Sequence, residues 1–369
     1  MGLFGGQKVS VGLDIGNAWI KIVSATIGSS GRPQVTKTIC VKNTGDPREI
    51  VKRTFAESKL NPSVVVASMD GQDTEMMVQE FIVKTAKEAE RLAEVKMHEF
   101  NLNEFVINYS LLRGPVQGAD GSPVYPVLYV SADKGKVAEF QSLLRASGIN
   151  LSSLVMDIDL LAAINALDLD QIAVGSTCLI EGGATTTNIS VLKDGTLRFT
   201  NTVKDDGGTL FTSRLAQELS ISIEAAEELK LKNGIDTGSR SSSSGENGSV
   251  LELDIDIPSD APSSSGNDEF KYLNAFKTEI ERYLDKLILV IKNYQDNNAE
   301  LVREIVLTGG IACIKNITGF MKNYFIANNL KINSVTLADS PLLASLNCPD
   351  EQRQTFTVAL GLALRGLAE

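Results

Sequence analysis

Several common chemistries are missing from this chain of 369 residues. Its four cysteines, Cys40, Cys178, Cys313 and Cys348, are scattered and form no C-x-x-C pair. They read as small core hydrophobes in a reducing compartment, which excludes a metal cage or a disulfide frame. His98 is the single histidine and lies in a charged helical stretch, so it reads as a surface residue and not a catalyst. Neither G-x-x-x-x-G-K-[ST] nor G-x-G-x-x-G occurs, so the common phosphate loops are absent. No segment approaches 18 uninterrupted apolar residues, so no spanning helix is expected. The opening MGLFGGQKVS has no signal-peptide core, and Gly6 stands where a myristoylation signal wants Ser or Thr. Positive charge is also short: 35 Lys and Arg against 46 Asp and Glu leave a net charge of −11. That balance repels nucleic acid and anionic membranes. The expectation is a cytoplasmic protein with no nucleic-acid partner and no direct membrane insertion.

What is present reads as mixed α/β. KVSVGLDIGNAWIKIVSATI has apolar runs broken at Gly16-Asn17, the pattern of a hairpin. RPQVTKTICVKN is a further strand, and residues 46–58 read as a helix capped by Asp46 with Pro47 in its first turn. PSVVVASM is a short buried strand. From about residue 76 the texture changes. A charged helix (TAKEAERLAEVKMHEF), strands VINYSLLRGP and YPVLYVSA, and an amphipathic helix ending at Gly148 suggest a subdomain inserted at about 76–150. STCLIEGGATTTNISVLKDGTLRFTNTV then repeats the opening order of acid, glycine, turn and resumed strand, with Lys193-Asp194-Gly195 as its next hairpin turn. Residues 236–268, rich in Ser, Gly, Asp and Pro, are expected to be a mobile insertion, with an interdomain linker as the rival reading. Tyr272 to Tyr294 carries apolar residues at helical spacing over about six turns, one long core-facing helix.

Three glycine turns each follow an apolar strand: Asp14-Ile15-Gly16-Asn17, Glu181-Gly182-Gly183-Ala184 and Thr308-Gly309-Gly310-Ile311. Glycine lets backbone N–H groups approach a phosphate or a ring, and Thr185 and Thr186 can donate hydroxyls. Asp14 and Glu181, at strand ends, are candidates to hold Mg²⁺ through water, and Lys21 to meet a phosphate as a point charge. Gly207-Gly208 precedes a helix start, another place where backbone amides face outward. The helix starting at Ser222 sets Glu227 and Lys230 three apart on one face. Taken singly, each turn reads first as an ordinary tight turn with a solvated acid, and Glu227–Lys230 suits a surface ion pair equally well.

Order and spacing together resemble the actin-like ATPase superfamily, shared by actin, heat-shock chaperones, sugar kinases and FtsA. LDIGNAWIKI, IEGGATTTNISVL and VLTGGIACIKN look like its first phosphate hairpin, second phosphate hairpin and adenosine turn. KVAEFQSLLRASGI, GGTLFTSRLAQELSIS and ALGLALRG extend the likeness over nearly the whole chain, towards the FtsA/PilM branch and its PilM family of type IV pilus proteins. The resemblance implies two RNase-H-like domains with an inserted FtsA/PilM-type subdomain. The first domain would cover 8–157 with 345–369, the second 158–344. It implies ATP with Mg²⁺ in the cleft. Asp14, Gly16, Asn17 and Lys21 would serve the β-phosphate side, and Gly182, Gly183, Thr185 and Thr186 the opposite wall. Glu227 and Lys230 would flank ribose and adenine, and Gly309, Gly310 and Ile311 would line the adenine pocket.

The family's second hairpin begins with Asp, and Glu181 is one methylene longer, so slow or absent hydrolysis is expected. Asp157 and Asp159 are the candidates to position water. The acidic pair Asp205-Asp206 either faces away from the phosphates or weakens anion binding. The implied partner is the cytoplasmic tail of a PilN-like inner-membrane protein, held in the groove between the first domain and the inserted subdomain, with other pilus motor components possible. That puts the protein at the inner membrane through its partners. The alternative is an FtsA-like filament-forming division protein or an active ATPase; the final LALRGLAE, with no amphipathic tail after it, disfavours direct tethering. Trp19 reads as packing.

Overall fold

The opening apolar alternation closes into an antiparallel pair, β1 (Val9–Ile15) and β2 (Trp19–Ile27), extended by β3 (Pro33–Lys42). The computed structural model describes residues 8–112, 115–118, 120–167, 172, 174–235 and 265–369, with side chains from 271 in the last stretch. Helix α1 (Pro47–Glu57) starts as the sequence predicts. Asp46 accepts from the Arg48 amide, and Pro47 takes the first position, where a missing N–H costs nothing. β4 (Val64–Met69), buried at every position, runs parallel to β1.

A separate antiparallel sheet follows: β5 (Thr74–Ile82), then helix α2 (Ala86–Met97), β6 (Phe105–Leu111), the two-residue β7 (Val116–Gln117) and β8 (Pro123–Asp133). Its order is β5-β8-β6, with β7 on β8, and α2 buries Ala93 against Val127 and Tyr129. Helix α3 (Lys134–Ala146) stops before Gly148, whose φ of +84° suits glycine. It then returns to the first sheet, packing Leu144 with Val11, Leu13 and Ile20. β9 (Leu154–Ile158) completes that sheet in the order β3-β2-β1-β4-β9. The third sheet thus occupies 74–133, and α3 shares the core of the first sheet.

Helix α4 (Asp159–Asn165) leads into the second five-stranded sheet. This comprises β10 (Ser176–Gly182), β11 (Thr187–Lys193) and β12 (Thr196–Val203), then α5 (Gly208–Leu219), α6 (Ile223–Asn233), α7 (Ser265–Asn298), β13 (Glu304–Thr308), α8 (Ile317–Ala327) and β14 (Ser334–Leu337). Its order, β12-β11-β10-β13-β14, repeats the first sheet: three antiparallel strands, then two parallel additions. Helix α7 lays Tyr272, Phe276, Ile280, Tyr283, Leu287 and Tyr294 into this sheet's core, on the predicted period. Residues 236–264 of the Ser-rich stretch lie outside the described residues, whereas 265–268 are the first turn of α7.

The short α9 (Pro341–Ala344) precedes α10 (Thr357–Ala368), which joins the halves. Its Ala359, Leu362 and Ala363 share one core with Val23 and Val66 of the first sheet, Leu179 and Val306 of the second, and Ala162 and Ala163 of α4. Gly12 on β1 lets α10 approach, since a side chain there would collide with the Ala359 carbonyl. No helix among the described residues is long and apolar enough to cross a membrane.

Candidate functional site

The two sheets present the same device. In the β1–β2 hairpin, Asp14 lies opposite Lys21, and their side chains pair at 2.7 Å. In the β10–β11 hairpin, Glu181 lies opposite Asn188, whose Nδ2 donates to Glu181 Oε2 at 2.9 Å. Each acid is the next-to-last residue of its strand, and its partner sits seven residues on, directly across the ladder, so both point to one face. The turns close alike: Gly16 N donates to Trp19 O at 3.1 Å, and Gly183 N to Thr186 O at 2.8 Å. A Cβ at Gly16 would lie 2.8 Å from Lys21 Nζ and 3.0 Å from Trp19 O, so a side chain there would have to push the lysine head aside. The hairpin tips meet where Asn17 Nδ2 donates to Thr185 Oγ1 at 2.5 Å. Trp19 is half-buried, with Lys42 Nζ over its ring at 5.7 Å.

The remaining predicted residues gather around Gly182. Ile311 packs on it so closely that a Cβ would stand 2.8 Å from Ile311 Cβ. Gly309, at φ +84°, would bring a Cβ within 2.5 Å of Gly182 O and 2.9 Å of Glu181 Oε1, while Gly310 borders the same carbonyl. The absent side chain at Gly309 leaves the room that the longer Glu181 occupies. Gly207 and Gly208 back onto the second hairpin: Gly208 N donates to Gly183 O at 3.0 Å, and Thr209 N to Ala184 O at 2.9 Å. These amides are engaged, so the start of α5 frames the hairpin in this conformation. Lys230 Nζ likewise has three acceptors, Glu227 Oε2 at 2.6 Å, Thr212 Oγ1 at 2.9 Å and Gly208 O at 3.2 Å. Buried Lys230 thus ties α6 to α5. Burial lowers its pKa, although Glu227 opposes this. Thr186 is buried at the second turn.

Asp206 is fully buried and faces away, paired with Arg282 at 2.8 Å and Lys286 at 2.6 Å on α7. Of the two candidates for positioning water, Asp159 faces the acids Asp14 and Glu181, whereas Asp157 lies 3.9 Å from Arg365 on α10. The sequence reading missed Asp70, which joins the same cluster. Its Oδ2 is 3.5 Å from Asn17 Nδ2, and its Oδ1 accepts from the Gln72 amide. The signal was present as Asp70-Gly71 directly after an apolar strand, a further copy of the acid-then-glycine pattern.

Among the described residues, Asp14, Glu181 and Asp159 act on the Lys21 ammonium, and Asp70 joins the cluster beside Asp14 and Asp159. Burial pulls the Lys21 ammonium down, but adjacent Asp14, helped by Glu181 and Asp159, leaves it raised. Burial raises Asp159 well above the usual carboxylate range, and the charges of Asp14 and Glu181 add to this. Burial likewise raises Asp70 and lifts Glu181 to about 7 against the hydrogen bond from Asn188. This excess of oxygen donors over positive charge suits a divalent cation of the Mg²⁺ type, which keeps waters and shares phosphates. No group of three or more His, Cys, Asp or Glu among the described residues is arranged to hold a metal ion directly.

One pH effect follows. A carboxyl whose pKa rises on folding takes up a proton between its ordinary value, 4.5, and about 7, so its contribution to stability falls as pH climbs through that window. In metal-free thermal melts, wild type should lose stability relative to Glu181→Gln between pH 5 and 7.5, by up to about 3 kcal/mol. Parallel curves for the two proteins would contradict this.

Comparison with known proteins adds family context. The family model described as type IV pilus assembly protein PilM matches residues 12–241, more than half of the chain, and that of cell division protein FtsA matches 178–347. FtsA of Neisseria meningitidis serogroup B (strain ATCC BAA-335 / MC58) is 24% identical over 268 residues, 72% of this chain but 62% of that protein. The chain thus spans less than two thirds of that relative's length. The solved PilM-PilN type IV pilus biogenesis complex aligns at a TM-score of 0.69 and 16% identity, covering 97% of this chain and 98% of that one. MreB5 of Spiroplasma citri bound to ADP aligns at a TM-score of 0.46 and 15% identity, over 97% and 95% of the chains. The fold is that of the actin-like ATPases: two RNase-H-like domains with an inserted FtsA/PilM-type subdomain.

Proposed function

The chain belongs to the type IV pilus assembly protein PilM family, and on that premise we propose that it is an ATP-binding adaptor that captures the cytoplasmic tail of a PilN-like inner-membrane protein. The observation that carries the nucleotide part is the matched pair of acid-bearing hairpins meeting at Asn17 and Thr185. In this reading ATP lies in the cleft. The backbones of Gly16-Asn17 and Gly182-Gly183 approach its phosphates, and the Gly309-Gly310-Ile311 turn lines the base. Asp14 and Glu181 hold Mg²⁺ through water, and that ion supplies charge neutralisation for the phosphates. Asp159 is the residue placed to orient a water. Lys230 holds α5 and α6 together beside the base, with Glu227 towards the ribose. The domain limits, 8–157 with 345–369 and 158–344, belong to the same proposal.

Turnover is slow or absent in this account. Glu181 is held by Asn188, and Lys21 is already paired with Asp14. Neither is free to follow charge as it develops on a phosphate. The tail of the PilN-like partner lies between the first domain and the inserted sheet, bound as an extended peptide, and through it the protein is held at the inner membrane. The test is calorimetry with a synthetic tail of the PilN-like protein from the same organism. Saturable 1:1 binding is expected; no heat with or without ATP would overturn the adaptor reading. The FtsA match over 178–347 favours a second reading, a filament-forming protein. Abundant pelletable polymer with ATP would support it.

A further inference from the structure

The inserted sheet is in direct contact with the second hairpin's frame. Its edge strand β5 runs beside β12, the edge of the second sheet, and side chains make the seam. Arg198 pairs with Glu80, Thr200 Oγ1 donates to Met76 O at 3.2 Å, and Lys204 Nζ donates to Gln72 O at 2.9 Å. As numbers rise on one strand they fall on the other, so the two edges are antiparallel. Strand alternation explains the chemistry. Leu197 is buried, and Phe199 and Val203 pack on the second sheet's core, so Arg198, Thr200 and Thr202 take the opposite face.

Thr202 on that face reaches the cleft. Its Oγ1 donates to Asn188 Oδ1 at 2.9 Å, and fully buried Asn188 donates from Nδ2 to Glu181 Oε2 at 2.9 Å. The connector into β5 closes over the same group. A Cβ on Gly71 would lie 2.6 Å from Asn188 Oδ1 and 3.2 Å from Thr202 Cγ2, and neighbouring Asp70 faces Asn17 of the first hairpin. A side-chain amide has one accepting and one donating end. The Thr202 hydroxyl on Oδ1 turns the donating end towards Glu181; a reversed amide would set oxygen against oxygen. At the equivalent place in the first hairpin, Lys21 neutralises Asp14, whereas Asn188 orients Glu181 without cancelling its charge.

We infer that Asn188 and Thr202 are positioning residues for Glu181, and that the inserted sheet, through its connector and the seam with β12, is part of the frame of the nucleotide site. This rests on the nucleotide reading of the cleft. Asn188 and Thr202 act through Glu181 and need not touch nucleotide.

The test is ATP binding to the full chain by calorimetry, in MgCl₂ and in EDTA, for wild type, Thr202→Val and Thr202→Ser. Valine keeps the branched shape and removes only the hydroxyl. Loss of one hydrogen bond should weaken binding in Mg²⁺ by about 3- to 10-fold, leave binding in EDTA unchanged, and be reversed by serine. Equal weakening in Mg²⁺ and EDTA, equal weakening by valine and serine, or no change with valine would each overturn the inference while leaving nucleotide binding intact. A folded wild type that binds no ATP in either buffer would overturn both readings. Melting temperatures of the three proteins identify any variant that is merely unfolded.

Discussion

Gly361→Ala should cost the protein about 3 kcal/mol or more of stability, an effect at the upper end for adding a single methyl to a packed core. Gly361 lies on α10 where it crosses α4, and a Cβ there would overlap the Ala162 carbonyl and crowd its carbon. Both obstacles are backbone atoms within helices, so neither can rotate away as a side chain would. The crossing is central to the molecule, because the same core holds Val23 and Val66 of one sheet and Leu179 and Val306 of the other. Prising α4 from α10 therefore separates both sheets from what aligns them. Urea unfolding followed by circular dichroism measures the loss. A midpoint within error of wild type would show that the two helices approach less closely than described.

Gly309→Ala should leave the protein folded and weaken nucleotide binding by about 10- to 100-fold. At φ +84° alanine is strained, and its methyl would lie 2.5 Å from Gly182 O and 2.9 Å from Glu181 Oε1. The relief available is for the 309–311 turn to move off the second hairpin. That movement displaces Ile311 from Gly182 and releases Glu181 from the space it fills. The clash is confined to the turn after β13, where Gly309 is buried and Gly310 exposed, and one of the atoms struck belongs to the movable Glu181 side chain, so global stability should fall less than in Gly361→Ala. Binding of ATP measured side by side for wild type and variant checks this; equal affinities would remove Gly309 from the site.

Much of this was legible in the sequence because it depends on local rules. Gly16-Asn17, Asp46-Pro47, Asp194-Gly195 and the 272–294 period encode a turn, a cap, a hairpin and a buried stripe, and each occurs as read. The recurrence of acid, glycine and returning strand likewise pointed to two equivalent hairpins. What it hid is tertiary. β5 lies at a sheet edge with no face fully buried, and its Glu75, Gln79 and Glu80 interrupt the apolar run that would mark a strand. The two-residue β7 is too short to carry any period. Asp206 reads as an acid beside phosphates until α7 brings Arg282 and Lys286 onto it from more than 70 residues away. Asp70 and Asn188 gain meaning only once the inserted sheet folds against β12. Lys230 shows the same limit: its spacing from Glu227 suggested a surface pair, whereas the fold buries it between two helices.

The proposed function depends on the two hairpins forming a nucleotide site. Titration calorimetry of ATP with Mg²⁺ into the folded, full-length wild-type chain tests it most directly. One saturable site per chain, weakened in Gly309→Ala, is the predicted result. A wild-type protein that gives no saturable binding of ATP or ADP, with or without Mg²⁺, would contradict it.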